Sequence, residues 1–256
     1  MRRLIVTADD FGLTPGVNAG ILEAHEHGIV TATSLMVNGI AADAALGWAR
    51  EHRSLAVGLH FVLTFGRPIG PLDPLGDLVD EDGRFRRLGT GAHERASSGD
   101  VRAELRAQLR RFDEAVGRPP THIDGHHHVH ALPGILPAVI EEAGQRGLRV
   151  RAPDRATRER LRLERIHTSD RFEDGFYGPD ATDEAALSSI FERLPEGETE
   201  MMCHPAKPDD VLSGISSYVE PRYRELATLT SPLAREFLER HGVHLVSART
   251  TPSSPS

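Results

Sequence analysis

Apolar residues fall along the chain in short, well-separated runs, at 4–7, 33–37, 56–62, 122–124, 148–150, 200–203 and 243–246. Their length and β-branched content suit strands buried on both faces of a parallel sheet. Between most of them the apolar positions take helical spacing, at 16–27, 41–52, 101–116, 135–146, 183–193 and 222–240. Punctuation agrees: Asp100 precedes the helix at 101–116 with Glu104 near its first turn, and Gly117 with Pro119 and Pro120 stops it. Gly28 and Gly147 close two others. Strict alternation predicts an α/β fold with a parallel sheet, doubly wound or closed as a barrel. Seven strands, with a weaker eighth at 165–168, favour a single-domain TIM-like (β/α) barrel, incomplete or distorted, over residues 1–247. Residues 248–256 read as a flexible tail. Two long irregular stretches, 66–99 and 205–217, leave from strands that carry polar residues, so they are expected to be lids over a site.

The polar residues that interrupt the pattern gather at the carboxyl ends of the strands. Asp9 and Asp10 end the first run, Asn38 follows the second and His60 lies in the third. Asp124, His126 and His128 follow the fourth, Arg149 and Arg151 the fifth, and His204 the run that ends at Cys203. In an α/β barrel these ends share one rim, where active sites are built. Five of the fourteen histidines fall between His122 and His130, and neutral imidazole is a common metal ligand. Helix capping accounts for one aspartate of the adjacent pair but poorly for two, and two buried carboxylates call for a cation. Two imidazoles and one carboxylate suit a divalent metal with open coordination positions. Such a centre polarises a carbonyl and acidifies water, a second carboxylate takes the proton, and a further imidazole protonates a departing amine. No G-x-S-x-G, H-E-x-x-H, P-loop or G-x-G-x-x-G motif competes, so hydrolysis of an amide or ester is the expected class.

Composition narrows the partners. The 256 residues carry 30 Lys and Arg against 38 Asp and Glu, a formal charge of −8 that argues against nucleic acid. The single cysteine, Cys203, rules out an internal disulfide framework and a cysteine-based zinc knuckle. Neither a signal-peptide pattern nor a membrane-spanning apolar run is present, so the expectation is a soluble cytoplasmic protein.

Four motifs in order, Thr7-Ala8-Asp9-Asp10-Phe11-Gly12, Gly58 to Thr64, Pro120 to His130 and Met202-Cys203-His204-Pro205, resemble those of the YdjC-like carbohydrate deacetylases. Within that family the likeness is nearest to the chitooligosaccharide deacetylases, with hopanoid-biosynthesis deacetylases as relatives. It runs from about residue 2 to about 247, takes in Phe176-Tyr177-Gly178 and residues 218–230, and is weakest over 66–99. The resemblance implies a frequently dimeric, distorted barrel with one divalent metal, usually described as magnesium. It places Asp10, His60 and His126 as ligands, Asp9 as base and His204 as acid, with Arg149 or Arg151 steadying the base or the substrate. Two imidazole ligands are unusual for magnesium, so zinc or another transition metal is expected to bind at least as well. Asp124, His128, Arg149, Arg151, Phe61 and Tyr177 are further candidates for contact with an acetylated amino sugar; Phe61, Phe176 and Tyr177 fit core packing equally well. The alternatives are a hydrolase of another amide, ester or phosphoester, and a relative that binds metal or sugar without turnover.

Overall fold

The computed structural model describes residues 1–249. Its first half runs β1 (Arg2–Phe11), α1 (Pro15–Glu26), β2 (Ala32–Leu35), α2 (Ala42–Glu51), β3 (Ala56–Phe61), α3 (Ala92–Arg95), α4 (Ser98–Val116) and β4 (His122–Gly125). The second half runs α5 (Leu136–Arg146), β5 (Arg149–Val150), α6 (Arg155–Leu163), β6 (Arg171–Glu173), α7 (Glu184–Arg193), β7 (Gly197–Cys203), α8 (Asp210–Ile215), α9 (Glu220–Thr230), α10 (Pro232–His241) and β8 (Val243–Leu245). All strand pairs are parallel, in the order β5-β4-β3-β2-β1-β7-β6, with β8 pairing the start of β1. The sheet curls into a half-barrel left open between β5 and β6, the distorted TIM-like architecture expected.

Alternation along the strands sorts side chains onto two surfaces. Leu4, Val6 and Ala8 of β1, Val57, Leu59 and Phe61 of β3 and Ile123 of β4 join the large core beneath the helices. The opposite face is graded. Ile5, Ala32 and Ala56 form a small apolar floor with Ala248. Above them Thr7, Asp9, Ser34, His60, His122, Asp124 and Glu200 are buried and polar. Gly58 belongs to this face because a Cβ there would lie 2.4 Å from His122 Nε2.

Several sequence expectations shift. No strand forms at 165–168; the eighth strand is β6, at Arg171–Glu173. The predicted helix at 222–240 is two helices, because Ser231 ends α9 and caps α10, with Pro232 opening the new helix. Helix α4 begins earlier than expected: Ser97 is its cap, and Asp100 closes a reciprocal capping box from inside. The stretch 205–217 contains α8, and 66–99 contains a 3₁₀ turn (Asp73–Leu78), α3 and a Val79–Phe85 bridge. Buried Glu104 ties this longer segment down by accepting the backbone N–H groups of Ile69 and Gly70. Of the predicted tail, Ala248 is buried and Arg249 donates to the Leu55 carbonyl, while 250–256 lie outside the described residues. Among the described residues, no helix is long and apolar enough to cross a membrane.

Candidate metal centre

Strand register delivers the site. Ala8 pairs with Cys203, so Asp9 of β1 comes beside His204, the first residue past β7. His60 and Asp124 are direct cross-strand partners on β3 and β4. His126 opens the 3₁₀ segment His126–Ala131 just past β4, in which His127 and His128 both hold φ of 56°. Asp10 holds φ of 71°, so three of the four non-glycine positive-φ residues described lie at this rim. Such backbone costs of order 1–3 kcal/mol per residue and concentrates at functional sites. Asp10 is not there to cap α1, which is capped by Thr14.

Asp10, His60 and His126 each offer one ligand atom within 4.8 Å of the others. Asp10 Oδ1 lies 3.1 Å from His126 Nδ1 and 3.4 Å from His60 Nε2. His60 Nδ1 is 2.7 Å from Asp124 Oδ1, which directs Nε2 toward Asp10. A carboxylate on the far nitrogen is the usual means of fixing a metal-bound imidazole. Asp124 Oδ2 also accepts the Ser34 hydroxyl at 2.5 Å. Both the donor set and its support fit a divalent cation.

Charge is dense and largely paired. Arg151 is fully buried, forks onto Asp9 at 2.6 and 2.8 Å, and reaches Glu200 and Asp124 at 2.9 Å each. Arg222 donates to Asp10 Oδ2 at 2.6 Å, leaving Oδ1 to the imidazoles. Burial pushes Asp9 up to about 6 against the pull of Arg151. Asp10 is buried too, yet Arg222 and then His126 hold it well below the usual carboxylate range. Burial opposes a proton on His60, but Asp124 and the hydrogen bonds of both aspartates raise it to about 10. The two carboxylates thus favour positive charge at His60 alone among the shifted histidines of this rim. His127, His128 and His130 are driven to about 4, 3 and 4, first by burial.

His204 is half-buried beside Tyr177, with ring centroids 5.4 Å apart. Burial and then Arg222 hold its imidazole well below its ordinary value. Tyr177 is 48% exposed. The other residues named as candidate contacts take these positions. Phe61 is fully buried on the helix-facing side of β3, and Phe176 is also buried. Arg149 pairs with Glu198 at 2.5 Å and Ser169 at 2.9 Å, so Arg151 is the arginine that reaches Asp9. Asp124 is buried behind His60. His128 packs edge-on to Phe172 with ring centroids 5.5 Å apart.

Five partners escaped the sequence reading: Ser34, Glu200, Tyr218, Arg222 and Glu225. Ser34 and Glu200 carried a signal, each a polar residue inside an apolar run. The others sit at or near α9, where a solvated helix face accounts equally well for a charged pattern.

Comparison with known proteins accords with this geometry. Residues 3–240 match the model of the family described as YdjC-like protein. The chain belongs to the YdjC-like family. It is 46% identical to a carbohydrate deacetylase of Geobacillus stearothermophilus, over 97% of each chain. It is 41% identical to a chitooligosaccharide deacetylase of Serratia marcescens, covering 95% of this chain and 97% of that one. A crystal structure from Enterococcus faecalis, described as a cellobiose-phosphate cleavage protein, superposes with a TM-score of 0.89 at 34% identity. That match covers 96% of this chain and 97% of the other.

Proposed function

We propose that this protein is a divalent-metal-dependent deacetylase that hydrolyses the acetamido group of N-acetylglucosamine oligomers and releases acetate. The observation that carries the reading is the single rim on which the Asp10, His60 and His126 ligand set, Arg151-held Asp9 and His204 converge. Sugar as the substrate class is supported by the deacetylases this chain resembles over nearly its whole length.

Asp10, His60 and His126 would hold the cation, which when bound polarises the acetyl carbonyl and acidifies a water molecule. Asp9 takes the proton of the attacking water; a carboxylate poised near 6 is well matched to that task. Arg151 occupies both Asp9 oxygens and so fixes the plane of the base. His204 protonates the departing amine. Its ordinary state here is neutral, so the proton it delivers is drawn from solvent as negative charge develops on the substrate beside it, and Asp9 returns the water's proton to solvent once acetate has left. The exposed part of Tyr177 gives a sugar a surface next to that acid. With two imidazoles in the set, zinc or another transition metal is expected to support binding at least as well as magnesium.

The test is acetate release from N,N′-diacetylchitobiose by metal-stripped protein resupplied separately with magnesium and zinc. Release with either supports the deacetylase and identifies a competent metal. Folded, metal-loaded protein that releases none would remove this substrate class.

A further inference from the structure

Three residues at and just before α9 belong to neither the ligand set nor the proton-transfer pair, yet they bind to both. Arg222 donates to Asp10 Oδ2 at 2.6 Å and, through Nε, to the Tyr218 carbonyl at 2.9 Å. Glu225 accepts the backbone N–H of His204 on one oxygen and the Tyr218 hydroxyl on the other, the latter at 2.6 Å. That hydroxyl in turn accepts the Gly178 N–H at 2.9 Å, which anchors the segment bearing Tyr177. The Tyr218 ring stacks on Tyr177 at 4.3 Å and meets His204 edge-on at 5.9 Å.

His204 depends on such neighbours. Its Nδ1 is buried and has no hydrogen-bond partner, so no bond to that nitrogen fixes the rotation of the imidazole. What remains is the backbone anchor to Glu225 and the two tyrosine rings. Glu225 faces two donors, and a carboxylate is the side-chain end that can accept both; a glutamine would turn an NH₂ toward one of them. The arrangement also reaches the ligand set, because Arg222 bonds both Asp10 and Tyr218.

We propose that Tyr218 and Glu225 are positioning residues that aim the His204 imidazole at the leaving nitrogen, with Arg222 keeping that imidazole in register with Asp10. This rests on the reading of His204 as the general acid. The two residues make no contact with the ligand set themselves, so their loss should leave metal binding intact and be felt chiefly through His204, with a lesser effect through the Tyr177 segment that the Tyr218 hydroxyl anchors.

Tyr218→Phe is the decisive variant, since it keeps the stacked ring and removes the hydroxyl. The measurement is steady-state deacetylation of N,N′-diacetylchitobiose by the full chain carrying the metal that supports turnover, with metal stoichiometry determined on the same samples. The expected result is a kcat lower by roughly ten- to a hundredfold, the scale of a small misplacement of a reacting group, with metal content held and any rise in KM through the Tyr177 segment smaller than the fall in kcat. Combined with His204→Asn, the substitution should add almost nothing, because two changes on one path do not multiply. Glu225→Gln should repeat the kcat loss. An unchanged kcat, a change confined to KM, or losses that multiply in the double variant would each overturn the proposal. If His204→Asn alone keeps full kcat, the acid reading falls and takes this proposal with it. A His204 loss without a Tyr218 effect sinks only the proposal.

Discussion

At the scale of single residues, the adjacent aspartates show how one peptide unit divides two jobs. Asp10, with its left-handed backbone, turns toward the imidazoles, while Asp9 turns into the half-barrel and is gripped by Arg151. Asp9→Asn is therefore expected to lower turnover by at least about a hundredfold while metal content stays near wild type. Asp10→Asn should lose the metal. Joint measurement of acetate release and metal stoichiometry separates the two; loss of metal from Asp9→Asn would show that the division is drawn wrongly. Asp124 extends the argument one shell outward. Asp124→Asn should weaken metal affinity about 10- to 100-fold, because the His60 ring loses the carboxylate that orients it. Competition with a chelator measures this directly. The region of the candidate centre was readable in the sequence because histidines and carboxylates inside apolar runs are expensive without a purpose, whereas the choice of Asp10, His60 and His126 within it rests on the family resemblance. Arg222 and Glu225 were not, since their burial depends on how α9 docks onto the strand ends.

At the scale of elements, legibility followed burial. The long inner strands stood out as apolar runs because parallel strands are covered on both faces. The edge strand β6 has three residues, none of them buried, and so carried no such run. Helix α6 was missed for a related reason: its nine residues bury only Thr157 and Leu161, too few to set a period. The stretch 66–99 was read as irregular, but its attachment is specific. Glu104 also bonds Gln108, which pairs with both backbone groups of Val62, so α4, the loop base and the end of β3 are joined. Glu104→Ala strands the Ile69 and Gly70 N–H groups, at about 1–3 kcal/mol for each donor that finds no water. Limited proteolysis should then cut within 66–91 markedly faster than in wild type. Equal resistance of the two proteins would mean that the loop is held by something else.

At the scale of the whole molecule, the candidate centre joins elements far apart in the chain, with candidate ligands near the end of β1, within β3 and past β4. A cation bound there stabilises the folded state by mass action, since the unfolded chain presents no such cluster. The fold does not depend on the metal alone. Arg222 and a proton on His60 give Asp10 positive charge from the protein itself, so metal-stripped protein should remain folded. At a hundredfold excess over Kd the gain is about 2.7 kcal/mol, and a chain of this size converts each kcal/mol to roughly 2–4 °C. Saturating zinc should thus raise the melting temperature by about 5–10 °C, a rise absent from Asp10→Asn and kept in Asp9→Asn. The pH dependence has a definite sign. His60 is held protonated up to about 10, and that proton must leave Nε2 before the nitrogen can bind a cation. The zinc-dependent rise should therefore grow as pH increases through the neutral range and shrink under acid. Melting curves with and without zinc across that range measure it. A rise independent of pH would place the cation on groups other than His60.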